Sequence, residues 1–145
     1  MTSAAIETAV ARELSALLAA DQLITLPEQL RTYECDGLTS HRVVPALVVL
    51  PHTSEEVQAV VRACSAHGVP FVARAAGEPG AGAVPVEDGV VISLARMTRV
   101  VSVDIERGEV VVEPGVANLD VTRAVAAEGF YYAPDPSSQQ VCTIG

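Results

Sequence analysis

Apolar residues recur at helical spacing across residues 3–20, where Ile6, Val10, Leu14, Leu17 and Leu18 share a stripe separated by polar positions. That period predicts an amphipathic helix. Residues 23–37 carry no single period, although Pro27 and Asp36-Gly37 mark turns. Residues 39–42 are polar and predicted to be exposed. From Val43 to Leu50 the chain reads as a β-branched strand closed by Pro51. Thr53-Ser54-Glu55-Glu56 has the form of a capping box, a hydroxyl at the cap and a glutamate three residues on that reaches back to the backbone. The helix it starts carries Val57, Val60, Val61 and Cys64 on one stripe and runs to about His67. Gly68 stands where a left-handed terminating residue belongs. Cys64 lies on the stripe with no neighbour that would lower its pKa, so it reads as core rather than nucleophile.

Val69 to Ala73 is the next expected strand, and residues 43–73 then form a strand–helix–strand unit with a connection long enough for a right-handed parallel crossover. After a small-residue stretch, Val90 to Leu94 reads as a strand preceded by an Asp88-Gly89 turn. Val100 to Ile105 and Glu109 to Glu113 flank Glu106-Arg107-Gly108 as a hairpin ended by Pro114-Gly115. Asn118 is the expected cap of a helix over 119–128, with Val121, Ala124 and Val125 apolar and Gly129 as its stop.

Composition narrows the function classes. Half of the 145 residues are apolar, with no Trp, two Phe and three Tyr, so the core is expected to be aliphatic and the length suits one domain. A net charge of −9 argues against a nucleic-acid partner, which would need basic contacts to phosphate. No apolar run approaches the ~18 residues of a membrane span. No basic cluster precedes an apolar core at the N-terminus, so no signal peptide is expected. Cys35, Cys64 and Cys142 are dispersed without a CxxC, which suits free thiols in a reducing cytoplasm. His41, His52 and His67 lack metal-ligand spacing, and no metal site is expected.

The candidate chemistry lies in Arg74-Ala75-Ala76-Gly77-Glu78-Pro79-Gly80-Ala81-Gly82-Ala83, which leaves the expected strand at 69–73. Three glycines in positions 77–82 permit sharp turns and close approach of a ligand. A phosphate-binding P-loop needs Gly-Lys-Ser/Thr, and no lysine is near. A dinucleotide fingerprint needs G-x-G-x-x-G opening a helix; here the spacing is reversed and Pro85 and Gly89 follow. Two readings stay open on the residues alone: a loop between strands whose backbone N–H groups cradle a phosphate, and a plain surface loop.

The wider order of motifs supplies a resemblance. Pro45-Ala46-Leu47-Val48-Val49-Leu50-Pro51, the capped helix, Gly68-Val69-Pro70, the Arg74 loop, Val112-Glu113-Pro114-Gly115, Pro134-Asp135-Pro136-Ser137-Ser138 and Thr143-Ile144-Gly145 follow one another. This order resembles the N-terminal part of the FAD-binding domain of FAD-linked oxidases, the vanillyl-alcohol-oxidase or PCMH type. Within it the chain is most similar to the FAD subunit of bacterial glycolate oxidase and to D-2-hydroxyacid dehydrogenases. Tyr33 to Gly37 and Tyr131-Tyr132-Ala133 strengthen that closer match.

The resemblance implies an α+β fold. Residues 1–42 would be an N-terminal helical segment and linker, and 43–145 a partial PCMH-type domain with the start of its second subdomain. It implies FAD, held non-covalently, because the histidine that some relatives link to flavin is absent from the loop. Arg74, Ala75, Ala76, Gly77, Glu78, Pro79 and Gly80 would wrap the pyrophosphate. Pro114 and Gly115 would pack near the flavin. Pro134, Asp135, Ser137, Ser138, Thr143, Ile144 and Gly145 would approach its ring and ribityl side, largely through backbone groups.

The implied reaction is hydride transfer from the α-carbon of a small 2-hydroxy acid to flavin N5. The family's base and substrate-binding residues lie in a downstream cap domain, so no catalytic residue is assigned in this chain, and its partners would be the rest of the flavoprotein or other oxidase subunits. Three residues depart from the family loop: Ala75 and Pro79 stand for glycines, and Glu78 stands for a Thr or His. Pro79 removes an N–H donor. A carboxylate ~4 Å from a phosphate charge at an effective dielectric near 20 is repelled by about 4 kcal/mol. These departures keep a second reading alive, a degenerate and non-catalytic binding or interaction module.

Overall fold

The computed structural model describes residues 3–35, 41–75 and 85–145. Strands β1 (Leu23–Ile24), β2 (Leu47–Val49), β3 (Phe71–Arg74) and β4 (Val90–Ser93) form one sheet in the order β1-β2-β4-β3. β2, β4 and β3 are mutually parallel, with Val48 opposite Val91 and Val91 opposite Val72, and β1 pairs antiparallel to β2. The two strands of the expected crossover unit are thus parallel but not neighbours, because β4 lies between them. All of β2 and β4 is buried. Strands covered on both faces are continuously apolar, and Val90-Val91-Ile92 meets that requirement best.

Prolines trim the expected strands. Pro45 and Pro70 have no N–H to give to a ladder. β2 therefore begins at Leu47 rather than Val43, and β3 at Phe71 rather than Val69. The chain beside them still bonds to the sheet: Ala46 N donates to Gly89 O and Val90 N to Pro70 O, both at 2.9 Å.

Alternation sorts the side chains of β2 and β4 between two layers. Leu47, Val49, Val90 and Ile92 face α1 (Ser3–Leu17) and α3 (Ser54–His67), meeting Val10, Leu14, Leu18, Val60, Ala63 and Cys64. Val48 and Val91 face the other way, against α2 (Pro27–Leu30) and the turn after it, with Leu30, Tyr33 and Val72. Each such fully buried Val or Leu contributes roughly 1.5–3 kcal/mol. At the start of α3, Thr53 Oγ1 accepts from Glu56 N at 3.2 Å, and Glu56 Oε2 accepts from His52 N at 2.6 Å. The glutamate reaches one residue beyond the cap and also takes Gln22 Nε2 at 2.7 Å, which ties the segment before β1 to this end of the sheet. Gly68 closes the helix with φ +66°.

A separate antiparallel hairpin follows, β5 (Val100–Asp104) and β6 (Glu109–Val112). Asp104 Oδ1 accepts from Arg107 N at 3.0 Å and Gly108 takes φ +68°, which turns the chain as the sequence predicts. At its base, the buried Glu113 carboxylate accepts from Arg99 N at 2.7 Å, Nε at 2.9 Å and Nη2 at 2.7 Å.

Helix α4 (Asn118–Val125) packs against β5 and passes into a 3-10 turn at Ala126–Glu128, ended by Gly129 at φ +79°. Here the structure corrects the sequence reading. Asn118 is the first helical residue and not the cap; that position is Ala117. The Asn118 N–H is drawn to Cys142 O at 2.9 Å, so the helix start is fixed by a distant strip of chain rather than by its own side chain.

Candidate functional site

The parallel strands β2, β4 and β3 end on one edge of the sheet. Ligands of open α/β sheets bind outside such carboxyl ends. Arg74 closes β3 there, and its carbonyl accepts from Leu94 N at 2.7 Å. Its half-buried side chain donates from Nη1 to Cys35 O at 2.8 Å, and its Cζ lies over the Tyr33 ring, 5.7 Å from the centroid. Arg42, Arg96, Arg99, Arg107 and Arg123 each pair with a carboxylate. Arg74, like Arg12, Arg31 and Arg62, makes no such pair among the described residues. Ala75 follows it, half-buried. Ala76, Gly77, Glu78, Pro79 and Gly80 lie outside the described residues.

Two other predicted stretches are joined by hydrogen bonds. Residues 142–145 run antiparallel along 114–118: Gly145 N donates to Pro114 O, Ile144 N to Val116 O and Asn118 N to Cys142 O, each at 2.9 Å, and Ala117 bridges Thr143. The fit is close. A Cβ on Gly145 would lie 2.3 Å from Pro114 Cβ, and one on Gly115 would lie 2.6 Å from Leu94 O and 2.7 Å from Met97 O. Glycine is therefore required at 115 and 145 by the approach of neighbouring chain. Leu94 joins this strip to the end of β3, since its N–H goes to Arg74 and its carbonyl abuts Gly115. Residues 74–75, 114–115 and 143–145 so form one connected edge.

The N–H groups of this edge are largely taken. Gly115 N donates to Met97 O at 2.8 Å, while those of Ile144 and Gly145 go to Val116 and Pro114. The strip can shape a wall; free backbone donors for a phosphate must come from elsewhere. Pro134, Asp135 and Ser137 are exposed, in the stretch leading into a turn. Ser138 anchors that turn through its main-chain carbonyl, which accepts from Val141 N at 2.8 Å and Cys142 N at 2.9 Å. These two bonds lead the turn into the strip at Cys142.

Three features escaped the sequence reading. Tyr33 meets Arg74 from a segment without a period. Asn118, 5% exposed, has an Oδ1 with no hydrogen-bond partner among the described residues. A buried carbonyl left so is costly, and it fits a donor supplied by a ligand or water. A cavity of about 190 Å³ opens between the hairpin and residues 130–132, with Val110, Val112, Val121, Val125, Phe130 and Ile144 in its walls; such walls suit apolar groups. Cys64 is fully buried, and burial pushes its thiol up to about 11, as a core residue requires. Among the described residues no cluster of three or more His, Cys, Asp or Glu could hold a metal.

Against known proteins, a family model described as "FAD binding domain" matches residues 45–145. Glycolate oxidase subunit GlcD of Escherichia coli (strain K12) is 42% identical over 125 residues, 86% of this chain and 25% of that protein. D-lactate dehydrogenase of Anaerostipes hadrus is 34% identical over 103 residues, 70% of this chain and 21% of that one. Among solved structures, alkyldihydroxyacetonephosphate synthase superposes with a TM-score of 0.82 at 25% identity, over 94% of this chain and 28% of its own. p-Cresol methylhydroxylase with substrate bound gives 0.73 at 27% identity, over 89% and 26%. The chain spans about a quarter of the length of the curated relatives it matches.

Proposed function

The chain belongs to the FAD binding domain family, with FAD as its cofactor, and from that membership we propose that it is the FAD-holding portion of an oxidoreductase acting on a small 2-hydroxy acid of the glycolate or D-lactate kind. Bound FAD supplies the hydride acceptor that turns such an acid into its 2-oxo acid. The observation that carries the reading is the connected edge of Arg74, Ala75, Pro114, Gly115 and Thr143 to Gly145 at the carboxyl ends of parallel strands.

The residues present fit the cofactor. Arg74 brings to this edge a guanidinium that pairs with no carboxylate among the described residues, and FAD has two phosphates to meet it. The Asn118 side-chain carbonyl is an acceptor without a donor among the described residues, and FAD carries hydroxyl and N–H donors. The strip 114–115 and 143–145 forms a wall that keeps water from the cofactor's ring side, and Ser138 holds that wall in place. Ala76, Gly77, Glu78, Pro79 and Gly80 complete the diphosphate loop in this reading, and Pro134, Asp135 and Ser137 border the ring and ribityl side. Acid–base chemistry and substrate recognition fall to polypeptide beyond this chain, in the same protein or in partner subunits. No helix among the described residues is long and apolar enough to cross a membrane; the proposed site of action is the cytoplasm, with any membrane contact made through partners.

A second reading, a non-catalytic module with an FAD-domain fold, is favoured by the occupied N–H groups of Gly115, Ile144 and Gly145 and by Glu78 and Pro79 in the loop. Thermal unfolding with and without FAD decides between them. A binder gains about 2.7 kcal/mol at a ligand concentration of 100 Kd, so its midpoint rises with FAD. A midpoint that ignores FAD supports the non-catalytic module.

A further inference from the structure

Arg74 sits in a holder built by residues 33–35. One of its N–H groups is fixed by Cys35 O at 2.8 Å and its cationic centre lies 5.7 Å from the Tyr33 ring centroid. That distance is within cation–π range. The holder is itself anchored. Tyr33 packs with Leu30, Val48 and Val91 on the sheet. Glu34 accepts Val43 N through its carbonyl at 2.7 Å and pairs with Arg42 through its carboxylate. The segment 33–35 is thus pinned on both sides, and it pins Arg74 in turn.

With one Nη1 N–H given to Cys35 O, the guanidinium has further in-plane N–H groups that can meet a bidentate acceptor. Holding it in advance removes the rotamer entropy that an arginine otherwise loses on binding. With no carboxylate paired to it among the described residues, its charge is available to an anion at the carboxyl edge of the sheet.

We propose that Tyr33 and the Cys35 main chain are positioning elements that hold Arg74 as the cationic clamp for the diphosphate of FAD. The proposal rests on the FAD-holding reading above and adds to it two residues outside the loop.

Binding of ADP, a diphosphate probe, and of riboflavin, a flavin probe without phosphate, separates the possibilities. Tyr33→Leu removes the ring and is expected to weaken ADP and FAD by about three- to tenfold, leaving riboflavin unchanged. Tyr33→Phe keeps the ring face and should bind ADP as the unaltered chain does. Arg74→Gln keeps a donor for Cys35 O but no charge; ADP binding should fall by about tenfold or more and lose its salt dependence. Arg74→Lys keeps the charge without the fork and should fall between. Thermal unfolding confirms that each variant is folded, and the Arg74 pair tests the clamp even if Tyr33→Leu unfolds.

Unchanged ADP affinity in Tyr33→Leu or in Arg74→Gln overturns the proposal. So does a parallel loss of riboflavin, which would mark Tyr33 as merely structural. If the unaltered chain binds FAD and only the variants disagree, the clamp fails alone; if it binds neither FAD nor ADP, the FAD-holding reading fails and takes the clamp with it.

Discussion

The amide of Gly145 donates to the carbonyl of Pro114 at 2.9 Å. This bond, with its neighbours, lays the strip 142–145 along 114–118 and brings two distant motifs to the edge where β3 ends.

Gly115 is a tight point of that edge. A Cβ there would meet Leu94 O at 2.6 Å and Met97 O at 2.7 Å, both backbone atoms. Gly115→Ala is expected to cost roughly 1–3 kcal/mol, read as a lower urea midpoint with unchanged slope. A neutral result would mean that 94–97 can yield, and that the wall is soft.

Asn118 predicts the opposite sign. Its Oδ1 is buried without a partner among the described residues, so Asn118→Leu, which keeps the branching and the number of side-chain heavy atoms, should stabilise the cofactor-free chain by about 1 kcal/mol. Loss of stability in the same urea titration would show that the carbonyl already has a donor.

Acid should loosen the hairpin base. The Arg99 side chain first, then the Arg99 N–H, holds the Glu113 carboxyl below the usual glutamate range. A carboxyl depressed in the folded state stabilises fully above its unfolded value, about 4.3, and loses that contribution as pH falls through the folded value. Glu56, lowered chiefly by the His52 N–H, adds to the same limb. Urea midpoints from pH 7 down to 3 should fall less steeply in Glu113→Gln than in the unaltered chain. Equal slopes would remove Glu113 from the account.

The thiols should divide. Cys64 is buried with its thiol pushed up to about 11, whereas Cys35 and Cys142 are half-buried. Iodoacetamide at pH 8 should label Cys35 and Cys142 in the native chain and reach Cys64 only after denaturant is added, by peptide mass analysis. Early labelling of Cys64 would contradict the packing of α1 and α3 on the sheet.

Local signals in the sequence were faithful where the interactions are local. The Thr53 cap, the stops at Gly68 and Gly129 and the turn at Arg107-Gly108 all form from neighbours a few residues apart. What the sequence concealed comes from pairings across the chain. β4 inserts between β2 and β3 and, like β2, is buried along its whole length. Asn118 falls inside the helix with its N–H on Cys142 O, and Arg74 finds Tyr33 and Cys35. The FAD resemblance was legible in the order of motifs. That the N–H groups of 115, 144 and 145 are already used was not, since nothing local reveals which carbonyl will face them.

Equilibrium dialysis of the chain against FAD tests the central claim most directly. The account predicts excess flavin absorbance on the protein side, saturating at one FAD per chain and competed by ADP. Equal flavin on both sides at every concentration would contradict it.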